Sequence, residues 1–295
     1  MASRARQWLD FTLLYTVFLI ARPLPRRWLL ALGRGLGSLV WYVFRFRRTI
    51  VLDNLQNAFG GEQNKARIRD LAREFYRNLG MTLMESMAMP RLSPEELVQL
   101  VDIEGREHLD AIVEEGRGAV WVSGHFGNFP YLAARLVAEG SPISFVAKSQ
   151  SNSRIDTLLN RFWRQLGVGI IGPQAIKEMI RALRRHEFVA MLADQNAGPE
   201  GVLCTFLGRP VYAFRGPAYL SWKLDVPLVT GHIYRRADGR HVIRADPPIY
   251  PDRSLSEEHA VRALTEHHVR RLEEAVRRAP DQYYWVHRRW KAGPA

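Results

Sequence analysis

Cysteine is almost absent. Cys204 stands alone in 295 residues, which excludes a disulfide framework and a cysteine-based zinc site. Acid is scarce as well. Asp and Glu number 30 against 42 Lys and Arg, a surplus that draws polyanions: nucleic acid, anionic lipid or an acidic protein. No clean apolar run reaches the ~20 residues of a full membrane span. The histidines lack metal-ligand spacing, so no metal site is expected. Neither a zinc-finger spacing nor an RNA-binding aromatic signature is present, so nucleic acid is not the expected partner. Internal repeats, low-complexity tracts and linkers are also missing. What remains is 47% apolar and 24% charged residues, the balance of a globular chain with a real core, which excludes disorder as the main state.

Two apolar stretches open the chain. Trp8–Ala21 is apolar but for Asp10 and two threonines, and Arg22, Pro23 and Pro25 end it. Trp28–Phe46 is interrupted by Arg34 and closes on Arg45, Arg47 and Arg48. No small-residue cleavage site follows the first run, so it does not read as a removable signal peptide. Two buried core helices would satisfy this pattern. The preferred reading is a short anchor helix followed by an amphipathic helix lying on an anionic membrane surface. The flanking arginines would meet lipid phosphates at ~1 kcal/mol each. Trp8, Trp28, Trp41 and Tyr42 suit the half-wet interface, and a short anchor plus a basic patch is a sufficient attachment. Residues 1–48 are therefore expected to form the membrane anchor and residues 49–295 an α/β domain.

Between Asn64 and Met89, Ile68, Leu71, Phe75, Leu79 and Leu83 recur at helical spacing. Met81, Met84 and Met87 extend that face, either as core packing or as lining for an acyl chain. Ser93-Pro94-Glu95-Glu96 reads as a helix start. After Gly116 the texture changes. Strands are predicted at 118–123, 143–147, 168–171 and 188–193, alternating with helices at 130–138, 154–166 and 174–185, a pattern that implies parallel βαβ units. Val226–Tyr234 and His241–Ala245 flank an Asp238-Gly239 turn and predict a hairpin, and Ser256–Ala279 predicts a long charged helix. The expected fold is α/β, a mostly parallel central sheet flanked by helices, with N-terminal membrane-associated helices.

The most informative stretch runs from Val122 through Ser-Gly-His-Phe-Gly-Asn-Phe to Pro130. It puts His125 where a buried strand ends and a helix begins, the edge at which functional groups collect in open α/β sheets. Gly124 and Gly127 permit close backbone approach. Free N–H groups near Gly127 and Asn128 are candidates to hold an oxyanion. Asn128, the amide of this loop, would donate to the oxyanion or fix the turn. Arg209 and Arg215 flank a Gly-rich loop and would either grip phosphate or remain solvated. Ser123 belongs to no acyl-enzyme motif, His267 and His268 lack metal-ligand spacing, and His287 reads as structural.

The same stretch resembles the signature of the lipid A biosynthesis acyltransferases, the lauroyl/myristoyl transferase family related to glycerolipid acyltransferases. The resemblance covers nearly the whole chain. It includes Arg48–Phe59 (RTIVLDNLQNAF), Ala193-Asp194-Gln195, Gly201-Val202 and Thr205–Pro210. It continues through Gly216-Pro217-Ala218, Val226–Val229 and the tail Pro280–Lys291. It implies acyl transfer to a hydroxyl or amine of a membrane lipid, usually from acyl carrier protein, at the cytoplasmic face of the bacterial inner membrane. No cofactor is implied beyond the acyl donor, which is a cosubstrate. Arg161 matches a basic, substrate-binding position of the family. A histidine, here His125, is the family's general base, and a carboxylate five residues later strengthens it. This sequence departs from that pattern, because the fifth residue after His125 is Pro130. Three readings stay open. Another carboxylate serves, with Asp194 at the end of the 188–193 strand as the candidate. A backbone carbonyl or water orients the ring. Or the chain is a catalytically impaired lipid-binding relative.

Overall fold

The computed structural model describes residues 4–290. Four helices come first: α1 (Arg4–Ala21), α2 (Arg26–Leu39), α3 (Arg48–Phe59) and α4 (Lys65–Ala88). Next come α5 (Pro94–Leu100), β1 (Val101–Glu104), α6 (Arg106–Glu114) and β2 (Ala119–Ser123). The alternating part holds α7 (Phe129–Ala138), β3 (Ile143–Val146), α8 (Ser153–Gln165), β4 (Gly169–Ile171), α9 (Ile176–Arg184) and β5 (Phe188–Leu192). A small antiparallel pair, β6 (Val202–Phe206) and β7 (Arg209–Ala213), precedes α10 (Gly216–Leu224). The chain closes with β8 (Leu228–Arg235), β9 (His241–Ala245) and α11 (Glu257–Arg278).

Seven strands form one sheet in the order β1-β9-β8-β2-β5-β3-β4. Only β8 and β9 pair antiparallel, as the Asp238-Gly239 turn requires. The central strand β2 (AVWVS) is buried at every position, as expected of a parallel strand covered on both faces. Ser93 and Glu96 complete a capping box at the head of α5. The predicted βαβ segment is present with boundaries shifted by one or two residues. Short elements with weak periodicity, namely β1, α6, the β6–β7 pair and α10, emerge only from the fold.

Two of the three stripe methionines are packing. Met84 and Met87 are buried with Ala21, Leu29 and Phe162 between α4 and its neighbours. Along the α2–α4 contact the backbones nearly touch. A Cβ on Gly37 would lie 2.0 Å from the Tyr76 carbonyl oxygen, and one on Gly80 would lie 2.1 Å from that of Gly33. Larger side chains there would hold the helices apart.

The alternative of two buried core helices is overturned. Of all α1, only Ala21 is buried. Leu9, Leu13, Leu19 and Ile20 are exposed, as are Trp28, Leu32 and Leu39 on α2 and Tyr42 to Phe44 in the π-helical turn beyond it. Trp41 departs from expectation: it is buried against Tyr76, with the Arg48 guanidinium 4.0 Å over its ring. Among the described residues no single helix is long and apolar enough to cross a membrane. One bent pair, Arg26–Phe44 with Arg48–Phe59, reaches the required length and composition only together, at 102°.

Candidate active site

Strand register builds the site. β2 and β5 are parallel neighbours with Ser123 opposite Leu192. The Ala193 N–H continues the ladder to the Ser123 carbonyl at 3.0 Å. Two residues past each paired position stand His125 and Asp194, side by side at the carboxyl edge. The His125 Nδ1–H donates to Asp194 Oδ1 at 2.7 Å. Two glycines let the loop fit. A Cβ on Gly124 would press on Asp194 at 3.2 Å, and one on Gly127 would lie 2.0 Å from the Ile233 carbonyl oxygen, with φ at +54°.

Burial and charge set the protonation of this pair. The Asp194 side chain is 2% exposed. Burial pushes its pKa up, but attraction to His125 and their hydrogen bond outweigh this and hold it at about 2. Burial likewise opposes a charged His125 ring, and Asp194 reverses that and lifts its pKa above the ordinary 6.5. With Nδ1 committed to Asp194, Nε2 is the nitrogen left for chemistry. The ring borders a narrow cavity of about 70 Å³ with Thr82, Phe129, Arg235, Gln282 and Tyr284 on its walls. This cavity shares Asn78, Arg235, Asp281 and Gln282 with a wider trough of about 360 Å³ that reaches α2 at Leu30 and Arg34.

The C-terminal tail closes over this edge. Tyr284 N–H donates to the His125 carbonyl at 3.0 Å, and its ring lies 5.8 Å from the imidazole. The Tyr283 hydroxyl reaches the Asp194 carbonyl at 3.3 Å. His287, expected to be merely structural, lies 5.7 Å from His125 ring to ring, and burial beside His125 lowers its pKa. Of the predicted tail motif, only Lys291 lies outside the described residues.

Several sequence-based assignments need correction. The Asn128 carboxamide does not face the cavity. It is fully buried and donates to Glu85 Oε2 at 3.0 Å, because the start of α7 is pinned onto α4. The Gly127 N–H is spent on the Gln282 carbonyl at 2.8 Å and is not free for an oxyanion. Arg161 is exposed on α8, away from the His125 cavity. Arg209 is exposed and donates to the Asn57 carbonyl, and Arg215 pairs with Glu257 at 3.3 Å. None of the three arginines lines the cavity that His125 borders. Pro130, where the family's carboxylate was expected, is buried in the first turn of α7.

Two neighbours of the site carry no motif in the sequence. Arg235, the last residue of β8, lines the cavity, and Glu85 on α4 anchors it at 2.7 Å. The signal for Glu85 was available: it is a lone acid on the Met81–Met84–Ala88 face of a helix.

The sequence profile of the bacterial lipid A biosynthesis acyltransferases matches residues 2–292. The chain belongs to that family. It is an acyltransferase, and its relatives act on lipids. The lipid A biosynthesis palmitoleoyltransferase of Escherichia coli K12 is 27% identical over 295 residues, covering 98% of this chain and 93% of that protein. The lipid A biosynthesis lauroyltransferase of the same organism is 27% identical, covering 97% and 92%. A phosphatidylinositol mannoside acyltransferase of Mycobacterium tuberculosis is 25% identical over 162 residues, about half of each chain. Within this acyltransferase, His125 and Asp194 stand together in hydrogen-bond contact at the carboxyl edge of the sheet.

Proposed function

We propose that this acyltransferase moves a fatty acyl chain from an acyl carrier protein thioester to a hydroxyl of a membrane (glyco)lipid such as a lipid A precursor. His125 is the general base. A hydroxyl is a weak nucleophile and must lose its proton as it attacks the thioester. Nε2 takes that proton while Asp194 steadies the imidazolium. The thiolate then leaves without needing a strong acid. No cofactor takes part. The observation that carries this reading is the 2.7 Å His125–Asp194 contact beside an open cavity. It also weighs against the alternative of an impaired lipid-binding relative, since a carboxylate that Pro130 cannot supply is offered by the neighbouring strand.

The test incubates membranes holding the protein with labelled acyl carrier protein and a panel of lipid acceptors. Transfer is expected, and it disappears in His125→Ala. Transfer unchanged by that substitution removes His125 as the base, and no transfer to any acceptor returns the lipid-binding alternative.

Residues 1–48 serve as the anchor for the domain formed by 49–295, at the cytoplasmic face of the inner membrane. In support, exposed Leu9, Leu13, Leu19, Trp28, Leu32 and Phe44 form an apolar surface of the kind monomeric proteins rarely leave in water. The trough beside the site reaches α2 at Leu30, Ala31 and Arg34. Vesicles of anionic lipid are expected to float the protein, and Leu9→Asp with Leu13→Asp to lower the floated fraction several-fold. An unchanged fraction would dismiss α1 as an anchor.

A further inference from the structure

We propose that Arg235 is a catalytic residue, its guanidinium donating to the thioester carbonyl oxygen as negative charge gathers there. This rests on the acyl-transfer reading above and names a group that neither motif nor resemblance supplied. Two of the expected oxyanion donors are engaged elsewhere: the Gly127 N–H is bonded to Gln282, and the Asn128 carboxamide faces Glu85. Among the described residues, no other arginine or lysine lines the cavity that His125 borders.

The guanidinium is fixed rather than free. Its Nη1 lies 2.7 Å from Glu85 Oε1 and its Nη2 donates to Thr82 Oγ1 at 3.2 Å. The Arg235 backbone is clasped by Gln282, whose Oε1 accepts its N–H at 2.8 Å and whose Nε2 donates to its carbonyl at 3.0 Å. Two separate links hold it in register with the histidine. Gln282 also accepts the Gly127 N–H, and Glu85 also accepts from Asn128, so both partners of Arg235 grip the histidine loop.

The guanidinium is also in place in advance. Glu85 balances one positive charge of the Arg26 and Arg235 pair. The acid in the cavity wall, Asp281, accepts from Asn78 Nδ2 at 2.7 Å. Arg235 therefore stands at the cavity, held by its partners, before any substrate arrives.

In the step this implies, the lipid oxygen bonds to the carbonyl carbon as its proton passes to His125 Nε2. The C=O π pair moves onto oxygen beside Arg235. When the carbonyl re-forms, the C–S bond breaks, and the thiolate takes the proton back from His125.

The experiment compares kcat and KM for the full-length protein and its Arg235→Gln, Arg235→Lys, Arg235→Ala and His125→Gln variants. Donor and lipid vesicles are the same throughout. Arg235→Gln is expected to lower kcat about 10²- to 10³-fold with KM nearly unchanged. Arg235→Lys keeps more activity than Gln, and added guanidinium ion restores part of the rate lost in Arg235→Ala. A role confined to holding the loop would show no such rescue. If Arg235→Gln does not fold, the Lys variant and the guanidinium rescue decide. Arg235→Gln within about threefold of wild-type kcat, or absence of rescue with Lys no better than Gln, overturns the proposal. The acyl-transfer reading survives that result so long as His125→Gln is inactive. A wild-type protein silent on every acceptor defeats both.

Discussion

Asp194→Asn is expected to lower turnover about 10⁴-fold, the penalty seen when an amide replaces the carboxylate behind a catalytic histidine. The amide keeps the shape but cannot favour the imidazolium that forms as the lipid hydroxyl loses its proton. It also lets the ring adopt the tautomer with its proton on Nε2, where it is useless as a base. The pH dependence carries a signature. The groups facing the ring are Asp194, Tyr284, His287 and Phe129. Of these, Asp194 raises the His125 pKa above 6.5. In the wild type, kcat/KM therefore falls on the acid side with a midpoint above 6.5, and in Asp194→Asn that limb moves to lower pH.

Stability follows with its own signs. The His125 contribution is full below 6.5 and fades as pH rises through its raised folded value. The Asp194 contribution is full above 3.8 and fades as pH falls toward about 2. The pair is thus complete between 3.8 and 6.5, where melts of the two proteins should differ most. Turnover of Asp194→Asn within about tenfold of wild type would hand the orienting role to a carbonyl or a water.

Much of this site was legible, and the limits have physical causes. His125 follows from a buried apolar run meeting glycines, since that texture marks the end of a parallel strand. Asp194 was readable as a strand-end acid, but its distance from His125 was not. The sequence places β3 and β4 between β2 and β5, and only hydrogen-bonded neighbours and their register bring positions 125 and 194 together. The arginines failed for the opposite reason. Arg161, Arg209 and Arg215 were chosen by charge and loop context, and an exposed arginine looks the same in sequence whichever way its element faces. Arg235 lies at the end of an ordinary hairpin strand, and only the passage of β8 under the histidine loop brings it to the cavity. The N-terminal helices showed their apolarity in sequence. That α2 docks on α4 through Gly33, Gly37 and Gly80 depends on backbone proximity that no periodicity reports.

Glu85→Gln is expected to destabilise the protein by about 3–5 kcal/mol, the cost of removing one partner from a buried ion pair. Glu85 is fully buried and serves four groups at once: Arg235, Arg26 at 3.1 Å, His241 at 3.3 Å and Asn128. Burial alone would push its pKa up. The surrounding His241 and Arg235 override this and hold it well below the usual carboxylate range. Arg26 is 30% exposed and can regain water when the carboxylate is lost, but Arg235 is only 8% exposed and cannot. That stranded guanidinium is the main source of the penalty. The sign of the linkage gives a second check. The Glu85 contribution is present above about 4.5 and is lost only as pH falls through the depressed folded value. The gap between wild type and variant should therefore persist through mild acid and close only in strong acid.

Glu74→Gln is the matched control, since its pair with Arg77 is 40% exposed on the acid side and surface pairs contribute about 0–1 kcal/mol. Equal losses for the two variants would mean that Glu85 carries no special burden. A large loss confined to Glu85, with slower transfer because Asn128 has lost its charged acceptor, would tie the histidine loop to a helix forty residues earlier through one carboxylate.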